Sequence, residues 1–202
     1  MSFKIVLQTL PIILLALLVV GIFIPACAPH PNTSARVDEY NAALRKTAGD
    51  SVSAEHPQSA NGLGAFKIFL TKIADKEYVR THTAKVYAAD AYLNDTLVTH
   101  HGPEEIMSYF HKTADTMTSY QVTINDSASS GNEHYVRWTM VFSAPKLNGG
   151  MPVRSVGMSH VRLNSAGQVT MHQDYWDSGL NIYGQIPVIG GVIEGIRRRL
   201  EK

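Results

Sequence analysis

The apolar positions change period twice along the chain. From Ile5 to Ile24 they are dense, IVLQTLPIILLALLVVGIFI, with no charged residue. Beyond Asn61 they turn helical. Phe66, Phe69, Leu70 and Ile73 recur at i, i+3, i+4 and i+7, which marks one face of a helix. A second helix is predicted from Asp75 to about Tyr87, and Ala91 to Asp95 reads as a short strand or edge. Gly102-Pro103-Glu104-Glu105 opens a third helix, with Ile106, Tyr109, Phe110 and Thr113 on one face. After Met117 the period becomes 2. Tyr120, Val122 and Ile124 alternate with polar neighbours, and strands follow over His134–Ser143, Val153–Leu163 and Val169–Trp176, separated by Gly-containing turns. Helices first and a meander afterwards predict an α+β domain: a curved antiparallel sheet wrapped around N-terminal helices, plus a C-terminal amphipathic helix.

The flanks divide the chain further. Residues 1–27 read as a signal peptide or membrane anchor. Twenty uncharged residues at helical rise span about 30 Å, the thickness of a hydrocarbon core. The run ends in Ile24-Pro25-Ala26-Cys27, and this cysteine is the only one in the chain. A small residue followed by cysteine resembles the lipobox of bacterial lipoproteins, which implies lipidation at Cys27. An uncleaved anchor and a soluble secreted form are the alternatives. All three place the domain on the extracytoplasmic side, and the first two attach it to a membrane through its N-terminus.

Residues 28–60 are rich in Ala, Ser, Pro and Asn and read as a tether, with a short helical stretch marked by Val37, Tyr40 and Leu44. The domain proper is expected over 61–180. Over 181–202 a helix carries the stripe Ile186, Ile189, Ile193, Ile196 and Leu200, ending in Arg197-Arg198-Arg199. It needs a surface to lie on, and packing on the domain is preferred over the membrane.

Charge excludes several functions. Lys and Arg number 18 and Asp and Glu 17, so a net charge of +1 gives no electrostatic argument for nucleic acid. A lone cysteine makes neither an internal disulfide nor a cysteine-based zinc site. Nine histidines occur without a ligand-spaced motif, so no metal is expected, and no phosphate loop or dinucleotide fingerprint calls for a cofactor.

Three strings, in order, carry a family resemblance. They are VYAADAYLND from Val86, HGPEEIMSYFHK from His101 and VRLNSAGQVTMHQDYWD from Val161. Together they resemble the SnoaL-like branch of the nuclear transport factor 2-like superfamily. The resemblance implies a cone-shaped sheet around an apolar pocket that holds a small apolar molecule, and it allows a homodimer. Members of this superfamily include isomerases, cyclases, hydrolases and plain binding modules, so the fold leaves the function open.

Comparison with steroid isomerases in that superfamily aligns Asp95 with their proton-shuttling carboxylate. Ser159 and Phe69 fall where they carry oxyanion donors, and phenylalanine cannot donate. A turn or cap role is the alternative for Asp95. On the last strand His172, Asp174 and Trp176 share one face. Asp174 aligns with one catalytic acid of epoxide hydrolases, but Trp138 and Met140 stand where their triad needs further polar groups. The catalytic candidates are therefore Asp174, Asp95 and His172. Phe69, Leu93, Trp138, Met140, Ser159 and Trp176 are expected to line the pocket, and core packing is the alternative for the large apolar ones. Three functions stay open: a membrane-tethered ligand-binding module, a cofactor-free acid/base cyclase or isomerase, and a dimerising scaffold.

Overall fold

The computed structural model describes residues 32–201. The apolar run 5–24 and Cys27 lie outside the described residues. The chain divides into two compact units after Tyr40. The first contributes the opening turns of helix α1 (Thr33–Thr47), where the Asn32 side chain accepts the Ala35 N–H at 3.1 Å.

The second unit holds the sheet. Helices α2 (Pro57–Thr71) and α3 (Lys76–Val86) lead into strand β1 (Tyr87–Asn94) and a short β2 (Thr99–His101). Helix α4 (Gly102–Thr116) precedes the long strands β3 (Ser119–Ser130), β4 (Glu133–Ser143), β5 (Val153–Leu163) and β6 (Val169–Trp176). Short α5 (Ser178–Asn181) and α6 (Ile189–Leu200) close the described chain.

Local chemistry sets the boundaries. The Asp75 carboxylate accepts the Tyr78 N–H at 3.0 Å and starts α3. Pro57 occupies the first turn of α2, where its missing N–H costs nothing. Asn164 accepts from the amides of Ala166 and Gln168, and Gly167 takes φ 79°, which closes the β5–β6 hairpin.

The six strands form one curved, unclosed sheet in the order β2-β1-β6-β5-β4-β3. Its long strands pair antiparallel as expected. The β1–β6 pair is parallel, so the sheet is mixed rather than wholly antiparallel. No hairpin joins those two strands, and nothing local dictates their direction. The core lies on one face, where Phe66, Phe69 and Leu70 of α2, Val79 of α3 and Ile106 and Phe110 of α4 meet Val136, Phe142, Val161 and Leu163. Their burial is the main driving force for holding helices on the sheet.

Among the described residues of the stretch 28–60, α1 covers the short helix expected at Val37, Tyr40 and Leu44, α2 starts at Pro57, and the Val52 and Ala54 amides bond to the carbonyls of Leu163 and Gly131 at 2.9 Å each. At the other end the chain breaks at Val188 (φ 71°), just after Pro187, and α6 starts there. No residue of α6 is buried, and Ile189, Ile196 and Leu200 of its apolar stripe are exposed. Its main contacts are with the turn at Tyr183–Gln185 and with α5. No helix among the described residues is long and apolar enough to cross a membrane.

Candidate active site: a cavity with two carboxylates

The sheet and helices form a partly open cavity of about 310 Å³. Period-2 alternation delivers one wall. On β6 His172, Asp174 and Trp176 all face it, as the alternation predicts, while Tyr175 is exposed on the other side. From β4 come Trp138, Met140 and Phe142, and from β3 Tyr120 and Val122. A side chain at Gly157, opposite Trp138 in the β4–β5 ladder, would collide with the Trp138 indole, so glycine makes room for that ring. Leu93, Asp95, Leu97 and Val98 close the end near β1, and α4 adds Tyr109 and Phe110.

Asp174 anchors a buried network. Its Oδ1 accepts the Ser159 hydroxyl at 2.5 Å and the His172 Nε2–H at 2.8 Å. Ser159 in turn accepts the Trp138 indole N–H at 3.0 Å. The Tyr87 hydroxyl lies 3.0 Å from His172 Nδ1, its one hydrogen bond among the described residues. A buried phenol must donate its proton, and burial pushes the Tyr87 phenol well up, so it holds that proton. His172 Nδ1 is therefore an acceptor and Nε2 carries the hydrogen. The network thus assigns an imidazole whose Nε2 hydrogen is donated to Asp174. No hydrogen bond among the described residues occupies the second oxygen of Asp174.

Asp95 is used differently. Its Oδ1 accepts the Leu97 and Val98 amides at 2.9 Å each, and its Oδ2 accepts the Tyr109 hydroxyl. That is the geometry of a turn-capping acid, with its carboxylate on the cavity wall. Burial, reinforced by the Asp95 charge, pushes the Tyr109 phenol up. Burial, together with the charges of Asp174 and Asp95, does the same to Tyr120. Both stay protonated.

Of the ten residues singled out in the sequence, seven line this cavity: Asp174, Asp95, His172, Leu93, Trp138, Met140 and Trp176. Ser159 lies just behind the wall and acts through Asp174. Phe69 does not reach the cavity. It is fully buried in the core against Tyr87 and Phe110, with ring centroids 5.5 Å apart in each case. Cys27 lies outside the described residues. Tyr109 and Tyr120 were visible in the sequence only as apolar-face positions. A phenol at a strand start beside a predicted pocket was the one available signal. Among the described residues no group of three His, Cys, Asp or Glu side chains could hold a metal.

Strand order, the helices packed on one face and the cavity agree with known folds. The fold is nuclear transport factor 2-like. Residues 80–172 match the SnoaL-like domain family. A candidate SnoaL-like polyketide cyclase from Jannaschia sp. CCS1 superposes with TM-score 0.56 at 11% identity, covering 65% of this chain and 95% of its own. A Mycobacterium tuberculosis epoxide hydrolase of the limonene type gives 0.52 at 15% identity, over 69% and 99% of the two chains. A Catenulispora acidiphila protein of ketosteroid isomerase-like fold, solved in complex with trimethylamine, gives 0.52 at 18% identity over 62% and 93%. At such identities the likeness is one of fold. No protein of curated function matches the sequence.

Proposed function

We propose that the domain binds a small, largely apolar molecule in this cavity and that Asp174 meets its polar part. One observation carries the reading. A carboxylate oriented through one oxygen by Ser159 and His172 presents its other oxygen to a mainly apolar cavity. Pockets of this composition use a few convergent polar groups to orient a ligand. The fold family supports ligand binding or isomerase-type chemistry.

Cofactor-free proton transfer is a second reading, favoured by the same carboxylate. Asp174 is held in place to accept a proton from bound substrate and return it. The protonated Tyr120 phenol lies in the field of both carboxylates, where it can donate to charge that develops on the substrate. This site differs from the expected isomerase pattern. Asp95 is committed to its turn, so Asp174 takes the leading role.

The address belongs to the proposal. We place the domain outside the cytoplasm, tied to a membrane by residues 1–27 through a lipidated Cys27 or an uncleaved anchor. Palmitate labelling that disappears in Cys27→Ser supports the lipid. Wild-type protein that never labels leaves the anchor.

Native mass spectrometry of the full-length protein tests the site. A small molecule that co-purifies with wild type and is lost in Asp174→Asn supports the reading. Retention of the same molecule in the variant removes Asp174 from it.

A further inference from the structure

We propose that the occupant of the cavity is a small organic cation, an ammonium group on an apolar body. The proposal rests on the reading of the cavity as a ligand site and names the chemistry of its ligand.

The first argument is charge. Asp95 and Asp174 line the cavity, and no Lys or Arg among the described residues does. His172 is the one other basic group on the wall, and the Tyr87 hydrogen bond fixes it as a neutral ring. The phenols of Tyr109 and Tyr120 are protonated and carry no charge. All net charge facing the space is therefore negative, in surroundings where charges are poorly screened. A carboxylate or phosphate ligand would meet two acids and no cation.

The second argument is the inventory of donors. Trp138 spends its indole N–H on Ser159, and Trp176 spends its own on the Asp95 carbonyl at 2.7 Å. The Tyr109 hydroxyl is given to Asp95, and the Thr113 hydroxyl to the Tyr109 carbonyl at 3.0 Å. What these side chains leave for a ligand is ring surface. Tyr120 is the one aromatic hydroxyl on the wall without a hydrogen-bond partner among the described residues. The site is rich in acceptors and aromatic rings and poor in donors. A wholly neutral hydrocarbon would leave the open oxygen of Asp174 unpaired, which is costly in an apolar space. An ammonium group satisfies that oxygen, and aromatic faces attract cations.

The chain contains two tryptophans, and both line the cavity, so intrinsic fluorescence reports its occupancy. The experiment uses the full chain in detergent micelles. It is titrated with trimethylammonium compounds bearing methyl, butyl or benzyl bodies, and with the neutral isostere of each in which carbon replaces nitrogen. Naphthalene serves as a neutral filler. The expected result is a cation that binds at least about tenfold tighter than its isostere, with the preference collapsing in Asp174→Asn. Isosteres that bind as tightly as the cations overturn the proposal, as does a preference that survives the variant. Quenching by naphthalene without any response to the cations overturns it too, and leaves the cavity a ligand site. No response to any probe overturns both this proposal and the reading beneath it.

Discussion

The β5–β6 hairpin carries a histidine–carboxylate contact on each of its faces, and the two have opposite surroundings. On the inner face His172 donates to Asp174, with Ser159 as the other donor. On the outer face His160 Nε2 lies 2.5 Å from Glu133, and Arg162 forks onto the same carboxylate. Arg162 also donates to the Leu44 carbonyl at 2.7 Å and the Thr47 hydroxyl at 3.0 Å, which ties the end of α1 to the sheet. Both oxygens of Glu133 are occupied and its charge is neutralised by arginine. Asp174 keeps one oxygen open and has no cation beside it. The same pair of side chains is therefore a strut in one place and a candidate site in the other. What decides is the valence left over once the protein's own bonds are made.

The sharpest way to break the comparison is a double dissociation. Asp174→Asn keeps both acceptor bonds at Oδ1 and removes the charge. Ligand binding should fall at least tenfold, about 1.4 kcal/mol, while the melting temperature holds or rises, because an ionised buried acid is costly. Glu133→Ala should do the opposite. It strands Arg162 and His160, whose side chains are only 12% and 6% exposed. The loss should be about 2 to 3 kcal/mol, at the low end for breaking a buried pair because Glu133 is itself partly exposed. Ligand titration together with urea unfolding of both variants reads all four quantities. Equal stability losses would erase the distinction between strut and site.

The strut should also show itself in pH dependence. Burial raises the Glu133 carboxyl, but the hydrogen bonds from Arg162 and His160 outweigh it and hold the group below the ordinary carboxylate range. A carboxylate lowered in the folded state stabilises fully above its unfolded pKa. That contribution is lost as pH falls through the folded value. Unfolding free energies measured from neutral pH down to pH 3 should therefore drop less in Glu133→Gln than in wild type. Parallel curves would mean that the ion pair contributes nothing.

The inner half of this contrast was legible in the strands, and little of it in the helices. Alternation put His172, Asp174 and Trp176 on one face, and the three do line the cavity. Alternation also put Tyr175 on the opposite face, and it is exposed there. Strands β5 and β6 span the residues expected of them, because β-branched runs between glycine turns leave little choice. The parallel β1–β6 pairing was not legible, since it joins segments some eighty residues apart. Phe69 was assigned to the pocket by resemblance alone, and α2 packs it one layer deeper. Tyr109 and Tyr120 each fitted an apolar stripe, and a stripe does not say whether it faces core or cavity. The last helix had the right period, but period alone could not show that its apolar face would stay uncovered.

Ser159→Ala should have a middling effect. It removes a donor to Asp174 and leaves the Trp138 indole N–H without its acceptor. An unmet buried donor costs about 1 to 2 kcal/mol. Unlike Glu133→Ala, this variant should lower stability and ligand affinity together, because Ser159 serves both the wall and the carboxylate. Thermal melts and the same titration check it. An affinity equal to wild type would show that His172 alone orients Asp174.

Tyr87→Phe probes the smallest difference, a single buried proton. The outer histidine meets its carboxylate through Nε2, as the inner one does, so the carboxylate alone does not distinguish them. What distinguishes His172 is Tyr87, which caps its Nδ1 and so fixes the hydrogen on Nε2. Removing the hydroxyl leaves one acceptor unmet and should cost about 1 kcal/mol. Nitrogen-15 spectra of the histidine rings provide the more telling readout. Wild-type His172 should give one neutral ring with its hydrogen on Nε2, and the variant should lose that uniqueness because nothing then holds Nδ1 bare. If wild-type His172 instead carries a hydrogen on both nitrogens, Tyr87 is not donating. The inner pair would then be an ion pair, and the cavity would lose half its negative charge.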